Sequence, residues 1–263
     1  MSYVRVDRPV PEVAVVTLNR PERMNTISSA MLDELTRTFV AVNENPDVRV
    51  VVLTGTGRAF CAGLDLNEAS AGQGIGGKDR RPPETIDLRN TPPTVLFAMD
   101  KPVICALNGS AAGYGMDLAL GCDIRIMADN AKLAAAFVKR GVVPESGGTW
   151  FLPRMLGWAK AAEIIFTGRT LSAADCLAER LVNAVVPADQ VAAAARAMAL
   201  EIAGNAPLAV RASKRLMRMG LEETFETHVQ HVYLQLLPLF ASDDFREGVT
   251  SFLEKRPAVF GGR

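Results

Sequence analysis

Two stretches of this chain demand cover on both sides. Val50-Val51-Val52-Leu53 and Val103-Ile104-Cys105-Ala106-Leu107 are apolar at consecutive positions. Successive side chains of a strand point to opposite faces, so runs of this kind fit strands buried between layers, as in a parallel sheet. The first run, read as a strand from Val48 to Leu53, follows a strand at Val13 to Leu18. Between them lies a helix with Leu32, Leu35, Phe39 and Val42 at helical spacing. Ser28 or Ser29 can cap that helix, and Asn45-Pro46 stops it. A helix from about Thr94 leads into the second run. Strand and helix alternating in this way predict an α/β architecture with right-handed crossovers.

Further along, Asp123 to Ala128 and Val182 to Val186 read as strands. A helix is expected from Trp150 to about Phe166, closed by Gly168. Ser172 and Asp175 carry a capping signature, and Asp189 can cap an Ala-rich helix ending near Ala203. From Pro207 the pattern is helical throughout: Leu208 to Met219, Leu221 to Phe240, and Asp243 to Lys255. The chain therefore divides into a core, 1–204, and a helical region, 205–263, with some apolar positions expected to face another subunit. Residues 67–93, rich in glycine, proline and charge, are expected to form a mobile surface loop and a candidate lid.

The chemistry concentrates between Lys101 and Trp150. The buried strand there ends in Asn108-Gly109, and a small-residue segment through Gly113-Tyr114-Gly115 opens an apolar helix. A helix start presents free N–H groups and a positive dipole end, which suit a developing oxyanion. Asp117 lies within a turn of that start, and Glu145 lies in a second Gly-rich loop before another helix. Two carboxylates beside such a start can do acid–base work on a carbonyl compound. The plainer readings are a buried helix residue for Asp117 and a charge complementing a helix dipole for Glu145.

Composition narrows the alternatives. The 263 residues are 49% hydrophobic, enough for a large core. Twenty-nine basic and 29 acidic side chains leave no nucleic-acid footprint. No apolar run reaches the ~18 residues of a membrane span. The first residues form a charged strand pattern, not a signal peptide. Cys61, Cys105, Cys122 and Cys176 stand apart from one another, which predicts reduced core thiols in a cytoplasmic protein. Gly72 to Lys78 imitates a phosphate loop, but Asp79 follows where a hydroxyl residue is needed, so a flexible loop is expected. His228 and His231, one helical turn apart, read as surface or interface histidines, not metal ligands. No Gly-x-Ser-x-Gly elbow occurs.

Several segments together resemble one superfamily. They are Val50-Val51-Val52-Leu53-Thr54-Gly55, Ala59-Phe60-Cys61-Ala62-Gly63-Leu64-Asp65-Leu66, Lys101-Pro102-Val103-Ile104 and Asn108-Gly109-Ser110-Ala111-Ala112-Gly113. Leu118 to Asp123, Gly147-Gly148-Thr149, Leu152-Pro153-Arg154 and Phe245-Arg246-Glu247-Gly248 extend the set. In that order they are similar to the crotonase (enoyl-CoA hydratase/isomerase) superfamily over nearly the whole chain. The resemblance implies an α/β spiral of β-β-α repeats with a C-terminal helical trimerisation region, in trimers or hexamers. It implies an acyl-CoA thioester substrate, with no permanently bound cofactor and no metal, and coenzyme A present only as part of the substrate. It also implies that no nucleic acid or membrane is a partner.

By the same resemblance, the main-chain N–H groups of Leu64 and Tyr114 form the oxyanion hole. Coenzyme A would run along Arg23-Met24-Asn25 and along Ala62, Leu64, Asp65 and Leu66, with Phe252 and Lys255 reaching it from the tail. Family hydratases carry one glutamate at the position of Asp117 and another in the segment matching Ala134 to Val138, where this chain has Phe137. Glu145 matches a third position, acidic in several isomerases. The expectation is an enoyl-CoA isomerase with Glu145 as the acid/base and Asp117 assisting. Hydration by Glu145 and Asp117 together, or a non-catalytic acyl-CoA-binding protein, are the alternatives.

Overall fold

The computed structural model describes residues 2–71 and 91–263. Residues 72–90, most of the expected surface loop and all of the phosphate-loop imitation, lie outside the described residues. The strands are β1 (Val4–Val10), β2 (Val13–Leu18), β3 (Val50–Gly55), β4 (Ala59–Cys61), β5 (Val103–Leu107), β6 (Ser110–Ala112), β7 (Ile124–Ala128), β8 (Lys132–Ala134), β9 (Thr170–Ser172) and β10 (Ala184–Val186). The helices are α1 (Ser29–Glu44), α2 (Leu66–Ser70), α3 (Pro92–Ala98), α4 (Tyr114–Leu120), α5 (Gly148–Leu156), α6 (Trp158–Thr167), α7 (Ala173–Ala178), α8 (Val191–Ala203), α9 (Pro207–Met219), α10 (Phe225–Phe240) and α11 (Asp243–Glu254).

A large sheet runs β1-β2-β3-β5-β7-β10, and a small one runs β4-β6-β8-β9. Three successive turns of chain each place one strand in the large sheet, one in the small sheet, and then helix: β3-β4-α2, β5-β6-α4 and β7-β8-α5. The central pairs β3/β5, β5/β7, β4/β6 and β6/β8 are all parallel. This is the spiral of β-β-α repeats expected above. All five residues of β5 are buried, as its uninterrupted apolar run requires. Asn108 stitches the turns together. Its Oδ1 accepts Gly55 N–H at 3.0 Å, and its Nδ2 donates to Gly57 O at 2.9 Å.

Locally encoded ends fall where expected. Ser28 caps α1 by accepting Met31 N–H, and Ser172 with Asp175 forms a complete capping box on α7. The four cysteines are free and buried. Three expectations need correction. The helix expected from Trp150 to Phe166 is two helices, because Gly157 takes φ +76°. Asp189 does not cap α8; Pro187 leads into a 3-10 turn at Ala188–Gln190 that contains it. The helix expected from Leu221 starts at Phe225 with Thr224 as its cap, because the chain turns at Gly220 and Glu223 folds back onto α10. Thr94 lies inside α3, which begins at Pro92.

The C-terminal helices are pinned to the core through charge. Lys214 of α9 is buried and donates to Asp123 Oδ2 at 2.6 Å and Lys101 O at 2.7 Å. Lys101 is itself buried and donates to Val42 O and Asn45 O at the end of α1; burial lowers its pKa to about 8. The outer faces of α10 and α11 leave Tyr233, Leu234, Leu237, Phe240, Val249 and Leu253 exposed.

Helix α4 packs on β4 through a glycine. A Cβ on Gly115 would lie 2.2 Å from Cys61 O and 2.7 Å from Cys61 Cβ. Backbone cannot yield there as a flexible side chain can. Gly115→Ala is expected to lower unfolding free energy by about 2–4 kcal/mol, within the range of overpacked core sites. Urea unfolding of the two proteins measures it, and a loss below about 0.5 kcal/mol would contradict this packing.

Candidate active site

The loop from Gly63 to Asp65 and the start of α4 meet at one place. Ile27 N–H donates to Gly63 O at 2.8 Å, and Asp65 N–H donates to Ile27 O at 2.9 Å. That parallel bridge directs Leu64 N–H away from residue 27. Tyr114 is the first residue of α4, so its N–H has no partner within the helix. Among the described residues neither N–H donates a hydrogen bond. A Cβ on Gly63 would stand 3.8 Å from Tyr114 N and 2.9 Å from Ala112 O, so the two amide-bearing segments are immediate neighbours. Gly63 at φ +99° and Gly113 at φ +52° take backbone conformations that suit glycine.

One turn into α4, Asp117 is 1% exposed. Its Oδ2 accepts Ser146 N–H at 3.1 Å. A Cβ on Gly148 would sit 2.3 Å from its Oδ1, so the carboxyl lies against the first turn of α5. Asp117 therefore acts as a tertiary cap for α5, a helix whose own N-cap, Gly147, has no side chain to offer. Burial pushes its pKa up to about 7; the Ser146 and Gly148 N–H groups pull the other way, and the Glu145 charge adds to the rise.

Glu145 follows the buried Pro144 and is an exposed residue by surface area. Protein nonetheless crowds its carboxyl enough that desolvation raises its pKa, opposed by its own N–H. The Tyr114 phenol is buried near Ser146 Oγ without hydrogen-bond geometry, and burial holds it protonated, with Cys61, Glu145 and Asp117 reinforcing the effect. These couplings place Glu145, Asp117 and Tyr114 in one neighbourhood. Phe137 is 3% exposed, and its ring edge would lie 3.8 Å from a Cβ on Gly113. An apolar wall thus stands beside the Tyr114 amide. Phe151 folds against Gly147 and joins Phe97 and Trp150 in an aromatic cluster, with centroids 5.1 to 6.1 Å apart.

The residues expected to hold coenzyme A divide into two groups. Arg23, Met24 and Leu66 are exposed, and Ala62 and Leu64 are partly exposed. Asp65 and Asn25 turn inward. Asp65 pairs with Arg20 at 2.8 Å and accepts Asn67 N–H at 3.0 Å, so its side chain is not free for a ligand. Asn25 is fully buried and all of its side chain is engaged. Oδ1 accepts Arg20 N–H at 2.8 Å, and Nδ2 donates to Thr56 O and Ala59 O, both at 2.9 Å. It locks the left-handed pair Met24 (φ 52°) and Asn25 (φ 55°), a strained arrangement that presents Met24 and Arg23 outward. Phe252, 82% exposed, and Lys255 stand at the far end of α11. No described hydrogen bond or ion pair joins them to this site within one chain.

Sequence reasoning gives Ser146 no role and uses Gly148 only in the family resemblance, whereas in the fold both fix Asp117. Their one signal is the Gly147-Gly148 pair opening a helix without a polar cap. His228 and His231 both point Nδ1 at Glu223, at 2.7 and 2.6 Å, and the described residues contain no cluster of three metal-ligating side chains. No described helix is long and apolar enough to cross a membrane.

Comparison with known proteins places these features in context. Residues 10–263 match the family model for enoyl-CoA hydratase/isomerase. A short-chain-enoyl-CoA hydratase of Clostridium acetobutylicum is 35% identical over 93% of this chain and 92% of its own. A 1,2-epoxyphenylacetyl-CoA isomerase of Escherichia coli is 36% identical over 95% of each chain. The crystal structure of an enoyl-CoA hydratase from Bacillus anthracis superposes with a TM-score of 0.90, at 34% identity, over 99% of this chain and 100% of that one.

The raised Asp117 pKa fixes a sign for stability. The folded protein holds this proton up to about pH 7, and the unfolded chain releases it near 3.8. Between those values the native state binds more protons, so this group's contribution falls as pH rises, by on the order of 4 kcal/mol in total. Denaturant melts of wild type and Asp117→Asn from pH 4 to 7.5 should diverge, with the variant gaining on wild type as pH rises. Parallel curves would refute the assignment.

Proposed function

Because the chain belongs to the enoyl-CoA hydratase/isomerase family, we propose that it is an enoyl-CoA isomerase in which Glu145 moves the proton. The observation that carries this reading is the division of labour between the two acids. Glu145 is exposed and pushed toward a higher pKa, as a reversible base requires. Asp117 is buried and spends its carboxylate on the amide of Ser146.

The thioester oxygen of a 3-enoyl-CoA rests against Leu64 and Tyr114 N–H. Glu145 takes a proton from C2; the C2–H electron pair becomes a C1=C2 bond as the carbonyl pair moves onto that oxygen, with the C3=C4 bond still in place. The resulting dienolate carries its charge where the two amides point. Glu145 then returns the proton at C4, leaving the double bond at C2. Preorganised donors of this kind contribute about 3–4 kcal/mol each, because the charge they meet exists only during reaction. The apolar Phe137 ring beside the Tyr114 amide adds to the low-dielectric setting in which a raised Glu145 pKa is expected. Asp117 holds the 144–148 loop at the correct distance from α4. Coenzyme A lies along Arg23-Met24 and the main chain of Ala62 to Leu66, as part of the substrate and not as a resident cofactor. Phe252 and Lys255 reach it across a subunit boundary.

The division into an acyl-CoA-binding core, 1–204, and an oligomerisation region, 205–263, belongs to the same reading, as do a cytoplasmic setting and a trimer or hexamer. The exposed apolar faces of α10 and α11 support it.

Hydration is the second reading, favoured by the electrostatic contact between Asp117 and Glu145, which two carboxylates sharing one water would need. Offering 2-enoyl-, 3-enoyl- and 3,5-dienoyl-CoA while following conjugation by absorbance separates the two. Appearance of 2-enoyl-CoA from the 3-enoyl thioester is expected. Rapid loss of 2-enoyl-CoA would establish hydration instead, and binding without turnover would leave an acyl-CoA-binding protein.

Glu145→Gln is expected to lower kcat by about 10²–10⁴-fold, the range for removing a positioned acid/base. Asp117→Asn should cost much less, because an amide oxygen can still accept Ser146 N–H. Activity should rise with pH through a midpoint above the ordinary glutamate range, as Glu145 loses its proton. Equal losses for the two variants would favour shared hydration chemistry.

A further inference from the structure

Resting on the oxyanion reading above, we propose that Arg125 is a positioning residue for the reaction, acting through α4. Arg125 lies on β7, 7% exposed. Its Nε donates to Leu181 O at 2.6 Å and its Nη1 to Cys122 O at 2.6 Å, with longer contacts to Leu120 O at 3.4 Å and Ala119 O at 3.5 Å. No carboxylate among the described residues forms an ion pair with it. Asp123, the nearest acid along the chain, is taken by Lys214 and Arg218. A buried cation satisfied by main-chain oxygens alone is unusual, since burial of charge is normally offset by a counter-ion. Here the offset comes from main-chain carbonyls at and just beyond the end of α4, where a cation is also favoured by the helix dipole.

Helix α4 has seven residues and carries the Tyr114 amide at its other end. It therefore spans only about 10 Å. Arg125 acts on the amide in two ways. It holds the last carbonyls of α4 against β7 and the 176–183 turn, and Asn183 locks the same strand residue by accepting Arg125 N–H at 2.9 Å. It also places a full positive charge behind the helix, in line with the anion that forms in front of it. A unit charge about 12 Å away, at the effective dielectric of protein interiors, is worth on the order of tenfold in a rate or an equilibrium. Saturated acyl-CoA carries no such anion at the thioester, so its binding should not respond.

The test needs no turnover. Acetoacetyl-CoA enolises at C2, and its bound enolate fraction is read by near-ultraviolet absorbance at fixed pH. Hexanoyl-CoA affinity, measured by calorimetry, reports the ground state. In Arg125→Gln the bound enolate-to-keto ratio is expected to fall about tenfold with hexanoyl-CoA affinity unchanged. Arg125→Lys keeps the charge but cannot span the Cys122 and Leu181 oxygens together, and should stay within about threefold of wild type. An unchanged ratio in Arg125→Gln overturns the proposal, as does equal weakening of both ligands, which would mark a purely structural role. Should Arg125→Gln not fold, Arg125→Lys decides: a folded lysine variant with a tenfold loss overturns the electrostatic part. Wild-type protein that binds hexanoyl-CoA yet shows no enolate enrichment would sink the oxyanion reading itself, a result distinct from failure of the Arg125 inference.

Discussion

Main chain meeting main chain at side-chain-free positions is the constraint on which this structure rests. Gly115 lets α4 settle onto Cys61 O, and Gly63 lets its loop settle against Ala112 O and Tyr114 N. At each of these points a methyl group would sit within 3 Å of a backbone atom. Backbone donors offer the shortest route to a rigid anion site, since they have no rotamers to freeze. Their drawback is that elements must approach more closely than side chains permit. The spiral solves this by stacking three similar strand turns, so that β4, β6 and β8 run parallel and their ends fall at one edge.

Asp117 ties that edge to the next one. Its carboxyl is enclosed between α4 and the start of α5, where a charged acid is unwelcome and a hydrogen-bonded one is useful. The loop carrying Glu145 is thus fixed from inside by a residue that need not touch substrate. Arg125 does the equivalent work at the opposite end of α4. Both are buried ionisable groups whose partners are largely peptide groups, and both bear on the helix that bears Tyr114.

The sequence made the layers of the fold legible because a strand covered on both faces leaves an uninterrupted apolar run, as in Val103 to Leu107. Local caps were equally legible: Ser28 and the Ser172–Asp175 box involve groups three residues apart. Glu145 and Asp117 stood out as acids among glycines and apolar residues. What stayed hidden depends on distant partners. Asn25 falls in the coenzyme segment by resemblance and is a buried bolt in the fold, because Thr56 and Ala59 reach it from across the β3–β4 turn. Gly157 divides a helix only because the chain takes φ +76° there, which spacing does not announce. The role of Arg125 required Leu181, 56 residues away, to come alongside Cys122.

On the reading proposed above, Phe137 in place of a carboxylate changes the physics of the site as well as its inventory. A carboxylate there would add a like charge beside Gly113 and Tyr114, where Glu145 and Asp117 already act on the phenol, and two close carboxylates raise one pKa at the other's expense. A phenyl ring removes that repulsion and leaves desolvation as the main influence on Glu145. Desolvation alone yields a base whose protonated and ionised forms are closer in free energy, which suits a group that must both take and return one proton. Holding a water for addition requires the opposite, a polar second contact with a free lone pair. Phe137 has none, and Asp117 directs one oxygen to Ser146 and buries the other against Gly148.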